Sequence, residues 1–237
     1  MEFVQAQFSL KFEPRIRIRR DANAIEDFLN ERYGPPQTIP MPDDFAAEAP
    51  RIILTSKYGH SQISFSQLSV DFTVGFDRDY RVDFGKTKHY ITERLELVRG
   101  VLEQIGIADF YYCGITYNAH IDTNGLSTEN YIREKISIPA DQSAQLYEAL
   151  QRTAIVIDDK LFYNEQIGTY KEFQNAGPPS LMTVNNSQLV SEGVNLMVDV
   201  NNRYEFMKSG SKTPIADYTG LISVFYSVIE KAIEKWR

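Results

Sequence analysis

Val4-Gln5-Ala6-Gln7-Phe8-Ser9-Leu10-Lys11-Phe12 alternates apolar and polar side chains without a break. A period of two places every second residue on the same side of an extended chain, so this stretch reads as a strand with one buried and one wet face. The pattern recurs in Leu68, Val70, Phe72, Val74 and Phe76, in Tyr111, Cys113, Ile115, Tyr117, Ala119 and Ile121, and in Val194, Leu196, Val198 and Val200. One-sided strands belong to antiparallel sheets covered by helices on a single face, whereas strands of parallel α/β sheets are apolar on both sides. The expectation is therefore an α+β fold with mainly antiparallel, curved sheet, and a Rossmann-type fold is disfavoured. The parity of the apolar positions flips between Ile63/Phe65 and Leu68, which calls for a bulge or tight turn at Ser66 and Gln67.

Helices separate these strands. Asp21 is placed to cap a helix carrying Ile25, Phe28 and Leu29, with Gly34 as its stop. Ile91, Leu95, Val98, Leu102 and Ile105 form one apolar stripe that ends at Gly106. A shorter helix is expected after Pro139, with Leu146, Tyr147 and Leu150 on its apolar side. The last is expected to start at Thr213-Pro214 and to bury Tyr218, Ile222, Phe225, Ile229, Ile233 and Trp236. In order the elements read strand, helix, strand, strand, helix, and then much the same again, as a degenerate internal duplication with halves at about residues 1–106 and 107–237 would give. Residues 34–50 hold five prolines and read as a surface loop, an extended arm; Gly177-Pro178-Pro179 punctuates a second loop. Neither loop is long enough to separate domains, so one domain over residues 1–237 is expected.

Composition narrows the function classes. The chain has 237 residues, 43% hydrophobic and 24% charged, which suits a globular protein with a substantial core and not a disordered one. Its net charge of -7 repels phosphate backbones unless cations are clustered, so nucleic acid is a partner only through a local patch. A single cysteine makes neither an internal disulfide nor a cysteine-based zinc site. No signal-peptide pattern opens the sequence, and its most apolar window, residues 221–229, is too short to span a bilayer. A cytoplasmic location is expected, which would make the sequon at Asn185-Asn186-Ser187 irrelevant.

Three landmarks together carry a family likeness: the stretch from Pro50-Arg51-Ile52-Ile53-Leu54 to Phe76, the strand Gly114-Ile115-Thr116-Tyr117-Asn118, and Val198-Asp199-Val200 ahead of a long final helix. Their order resembles a sporadically distributed bacterial family of uncharacterised proteins of similar length. That family has an arginine-tyrosine-x-asparagine strand in mid-chain; here Thr116 stands at the arginine position. The resemblance implies an α+β domain of bacterial or phage origin, suggests by association a part in bacteria–phage conflict, and brings no activity with it.

Candidate chemistry is sparse. Strand alternation would put Thr116, Asn118, His120 and Asp122 on one face, where Asp122 would orient His120 as a general base or metal ligand. The competing reading is the solvated face that every one-sided sheet presents. His60 lies in a turn-like Tyr58-Gly59-His60. Cys113 falls on the apolar side of its strand, and Gly85-Lys86-Thr87 lacks the earlier glycine of a phosphate loop, with Tyr80 in its place. Lys86, Lys88 and His89 precede the stripe beginning at Ile91, where free amides would favour an anion. Asp77, Asp79 and Asp83, and the pair Asp158-Asp159, stand where turns are expected, and no metal site is read from them. The most uneven charge feature is Arg15-Ile16-Arg17-Ile18-Arg19-Arg20. An extended chain would line up Arg15, Arg17 and Arg19 roughly 6.5 Å apart, near the phosphate spacing of a nucleic acid.

These features favour a non-catalytic interaction or regulatory protein that binds a protein partner or itself, as a homo-oligomer, through a sheet edge or the last helix. Val224, Tyr226 and Val228 lie off that helix's main stripe and suggest burial on more than one side. The alternative is a sensor of a small anion or nucleotide held by Arg15, Arg17, Arg19, Arg20, Lys86 and Lys88. A third reading is a hydrolase using His120 and Asp122, with a metal helped by Asp71 or Asp199. No cofactor and no membrane association are expected.

Overall fold

A computed structural model describes residues 1–136, 144–173 and 189–236. The first part of the chain forms β1 (Glu2–Lys11), α1 (Ala22–Leu29), β2 (Gln37–Thr38), β3 (Ile52–Thr55), β4 (Ser61–Phe65), β5 (Ser69–Gly75), α2 (Arg78–Arg81) and α3 (Phe84–Gln104). The rest forms β6 (Asp109–Phe110), β7 (Tyr112–Ile121), α4 (Thr128–Lys135), β8 (Leu150–Ile157), β9 (Leu161–Phe173), β10 (Leu189–Asn201), α5 (Arg203–Ser209), β11 (Thr213–Pro214) and α6 (Tyr218–Trp236). Nine strands make one sheet in the order β2-β3-β4-β5-β1-β7-β10-β9-β8, and every neighbouring pair is antiparallel. The fold is α+β.

The alternation decides which face is covered. Ala6, Phe8 and Leu10 of β1, Val70, Phe72 and Val74 of β5, Cys113 to Ile121 at alternate positions of β7, and Val194 to Val200 at alternate positions of β10 are buried, together with the stripes of α3 and α6, in one hydrophobic cluster. Each large apolar side chain so placed contributes about 1.5–3 kcal/mol. A bulge in β1 between Phe3 and Gln5 slips the pattern, so Phe3 takes the buried place that simple alternation gives Val4. The parity flip at Ser66 and Gln67 is a tight turn from β4 to β5, closed by Ser66 N donating to Ser69 O at 2.9 Å.

The sheet order is the same read outward from the central β1–β7 pair in either direction: β1-β5-β4-β3 on one side, β7-β10-β9-β8 on the other. The long helices match in the same sense. Thr87, Ile91, Arg94, Leu95, Val98, Val101 and Leu102 are buried in α3, and Tyr218, Ile222, Phe225, Tyr226, Ile229, Ala232 and Ile233, each 131 residues later, are buried in α6.

Several local expectations fail for identifiable reasons. Thr213-Pro214 does not open the last helix: Pro214 is extended (ψ 142°), the pair bridges Asp109–Phe110, and a 3-10 turn at Ile215–Asp217 leads into α6 at Tyr218. Asp21 precedes α1 without capping it, because its carboxylate is taken by Arg15, and α1 ends at Leu29, well before Gly34. The helix expected after Pro139 falls partly outside the described residues; residues 145–149 are irregular and Leu150 opens β8 instead. Gly177-Pro178-Pro179 and the Asn185 sequon also lie outside the described residues.

The proline-rich loop is not a free arm. Arg51, fully buried, donates to the carbonyls of Ala49 (2.9 Å) and Phe45 (2.5 Å) and reaches those of Pro42 and Ala46, drawing the loop onto the sheet. Gln67 Nε2 adds a bond to Asp43 O at 2.8 Å. The two-residue β2 and this fastened loop together close one end of the sheet.

Candidate functional site

The arginine run is not a strand. β1 stops at Lys11, Pro14 brings no amide donor, and Ile18–Asp21 wind into a 3-10 turn, so no even row of guanidiniums forms. Arg15 pairs with Asp21, its Nε 2.5 Å from the carboxylate, and Arg19 pairs with Asp43 of the proline-rich loop. Arg17 and Arg20 are exposed. Lys86, Lys88 and His89 lie inside α3, which begins at Phe84, and not in a loop ahead of it. Lys88 pairs with Glu230 of α6 at 2.7 Å, joining the two long helices, while Lys86 is exposed. The six cations therefore do not converge on one place; two fasten the chain to itself near its N-terminus, and one ties α3 to α6.

His120 does project from the uncovered face of the sheet, where its ring stacks on Tyr170 at 3.9 Å. Burial lowers its pKa below the ordinary histidine value. Asp122 lies past the end of β7, where its carboxylate accepts from Asn124 N at 2.9 Å to shape a turn. Cys113 is fully buried, and desolvation pushes its thiol far up, away from any nucleophilic role at neutral pH. Asp77 and Asp83 cap α2 and α3 by accepting from Tyr80 N and Lys86 N. Asp158 and Asp159 both adopt positive φ in the turn between β8 and β9. Among the described residues no three His, Cys, Asp or Glu side chains group in a way that could hold a metal ion. No helix among them is long and apolar enough to cross a membrane.

The centre of the uncovered face has its own order. Stepping from the Phe8–Ile115 pair, Ser9 is opposite Asp71 of β5, and Thr116 is opposite Asp199 of β10. Ser9 Oγ donates to Asp71 at 2.6 Å and Thr116 Oγ1 to Asp199 at 3.0 Å. Asp199 also accepts from Asn164 (2.7 Å) and Asn201 (2.8 Å), and Asp71 from Ser69 (2.8 Å). These carboxylates accept from neutral donors on their own and neighbouring strands and so tie the sheet together. Gly114 leaves a depression of about 230 Å³ beside them, and a Cβ at that glycine would come within 2.7 Å of Asn201 Cβ.

The sheet's two ends differ sharply. In β3 both Ile52 and Leu54 are fully buried beneath the covering layer, and β2 pairs along its outer edge. β8 holds the corresponding place at the other end, and among the described residues β9 is its one neighbour in the sheet. Leu150 through Val156 are exposed on both faces, with Leu150 62%, Ile155 47% and Val156 42% accessible. The ladder to β9 runs without a bulge from Leu150–Gly168 to Ile157–Leu161, and the strand's one charge is Arg152. An eight-residue edge with no bulge, no proline and a single charge carries little of the protection that monomeric proteins give such strands. In the sequence this segment has no alternation and gave no signal.

No protein-family model matches the chain, and no curated protein matches it.

Proposed function

We propose that this protein is a non-catalytic assembly module built on an internally duplicated α+β unit, in which β8 pairs antiparallel with β8 of a second copy about a two-fold axis. The observation that supports this most is the contrast between the two sheet ends: β3 is closed by β2 and the proline-rich loop, while β8, among the described residues, is open along its edge and exposed on both faces. Unpaired backbone donors and acceptors along an edge are strong hydrogen-bonding groups, and a second β8 offers the matching row. Leu150, Ile155 and Val156 gain burial at about 25 cal/mol per Å² of apolar surface removed from water. A second copy is the favoured occupant because a two-fold axis makes one patch complementary to itself, and such dimers are the commonest assemblies.

Sedimentation velocity of the full chain across the micromolar range tests this. The wild type is expected to sediment as a dimer, and Ile155→Lys, which places a charge on the partly exposed face of β8, as a monomer with an unchanged circular dichroism spectrum. A monomeric wild type, or a variant that dimerises equally well, overturns it; strand donation by a different protein would then be the reading to pursue.

A further inference from the structure

At the third of the seven matched buried positions the two long helices diverge in kind: α6 has Phe225 and α3 has Arg94. Phe225 is fully buried, as a core position requires. Arg94 is nearly as secluded, its side chain 9% exposed, and a guanidinium withdrawn from water is costly unless fully partnered. It is not. Its Nε has no hydrogen-bond partner among the described residues. The carboxylate paired with it, Glu93, is 3.4 Å away and lies closer to Arg32, at 3.0 Å. What surrounds the cation is aromatic: the Tyr90 ring is 4.8 Å and the Tyr33 ring 5.9 Å from Arg94 Cζ. Ser61 Oγ fixes both tyrosines, 3.2 Å from Tyr33 OH and 2.9 Å from Tyr90 OH, so the rings are held in place.

Arg94 lines a cavity of about 450 Å³ between the start of α3 and the β3–β4 turn. That volume suits a small molecule, since ligand sites run to roughly 300–1,000 Å³. Phe76, Tyr80 and Tyr90 give it aromatic walls: Phe76 stacks on Tyr80 (6.4 Å, 21°), and Tyr80 meets Tyr90 edge to face (5.7 Å, 70°). His60 and Arg32 stand at the rim. Of the two lining carboxylates, Glu93 is shared between two guanidiniums and Asp77 accepts from Tyr80 N as the cap of α2. The two carboxylates balance the two guanidiniums in charge, yet Glu93 is divided between them and Asp77 bonds elsewhere, so Arg94 is left under-partnered, with donors for an incoming anion beside aromatic rings.

We infer that this cavity is a binding site for a small anion carrying a flat ring, with the carboxylate or phosphate on Arg94 and the ring against Tyr80 and Tyr90. This site is independent of pairing through β8 and lies in the first half alone, since Phe225 replaces the cation in the second. The two anion chemistries share the guanidinium fork and are separated by the probe.

Isothermal titration calorimetry of the full chain with phenylacetate, with adenosine 5′-monophosphate, and with the controls benzyl alcohol, adenosine and inorganic phosphate tests the site. Saturable binding of phenylacetate or of the nucleotide, at least tenfold tighter than the matching controls and lost in Arg94→Gln, is the expected result. It would also assign the anion as carboxylate or phosphate. Binding by neither ring anion at millimolar concentration, or binding unchanged in Arg94→Gln, overturns the inference. Arg94→Met supplies a second measurement: an under-partnered cation kept for a ligand predicts a melting temperature equal to or above the wild type. A fall of several degrees would make Arg94 a structural residue and also overturn it.

Discussion

Replacing Arg51 with methionine keeps most of the side chain's length and removes every guanidinium donor that Arg51 gives the proline-rich loop. The guanidinium is fully buried and bonds to four loop carbonyls, from Phe45 at 2.5 Å to Ala46 at 3.4 Å, with Met41 sulfur also 2.9 Å from Nη1. A bond from a charged donor is worth about 1.5–3 kcal/mol, but the loop's outer residues are exposed, so freed carbonyls recover water and the individual values do not add. An acceptor left buried and unpaired costs about 1–3 kcal/mol, and partial rehydration of the four carbonyls here sets the expectation at about 3 kcal/mol in all. For a chain of this size that corresponds to a melting temperature lower by about 6–12 °C. Calorimetry measures the shift, and limited proteolysis should cut Arg51→Met between residues 41 and 49 at protease levels that spare the wild type. Freeing the loop also uncovers the β2 end of the sheet, so species larger than a dimer are expected. A variant that melts within about 2 °C of the wild type, or higher, with an uncut loop would refute the reasoning.

Glu165 of β9 anchors the end of α6: it accepts from Lys235 Nζ at 2.7 Å, from Trp236 Nε1 at 2.9 Å and from the Tyr163 hydroxyl. Burial acts to raise its pKa, yet the bonds from Lys235, Tyr163 and Trp236 win and hold it below the usual carboxylate range. Its stabilising contribution is therefore present above the unfolded-state pKa and is lost as pH falls through the lower folded-state value. Glu165→Gln should cost about 1–2 kcal/mol at neutral pH and little in strong acid, read by urea melts across pH; a pH-independent difference would contradict this. Tyr226 carries a buried hydroxyl without a well-formed hydrogen bond, so Tyr226→Phe is expected to change stability by less than about 1 kcal/mol or to raise it; a loss of about 2 kcal/mol would show a missed partner. Gly114→Ala forces a Cβ to within 2.7 Å of Asn201 Cβ and 3.2 Å of Val200 O, neither at the end of a flexible chain. Thermal denaturation should register about 1–3 kcal/mol of destabilisation, and an unperturbed melt would mean that β10 yields freely.

What the sequence made legible follows from burial. β1, β5, β7 and β10 sit in the middle of the sheet with one covered face, so their side chains alternate, and α3 and α6 show stripes because each lies on that face. β8 escaped notice for the opposite reason: Leu150 through Val156 are exposed on both faces, no burial enforces a period, and Leu-Gln-Arg-Thr-Ala-Ile-Val-Ile shows none. β9 was obscured by Glu165, a carboxylate at a buried position where alternation demands an apolar residue. In α4, Tyr131 and Ile132 are the buried pair, too few for a stripe. Taken singly, neither Arg51 nor Arg94 is set apart as buried, because a charge in isolation signals exposure. A clue to Arg51 was present, since prolines supply carbonyls without amides and a loop rich in them has acceptors to spare. Nothing local marks Arg94; it stands out when α3 is set against α6.

Pairing through β8 is tested most directly by hydrogen–deuterium exchange at the amides of Leu150–Ile157 that point away from β9, followed as a function of protein concentration. These amides should exchange slowly where the chain sediments as a dimer, and should lose that protection on dilution and in Ile155→Lys. Exchange at the rate of an open strand, the same at every concentration, would contradict the account.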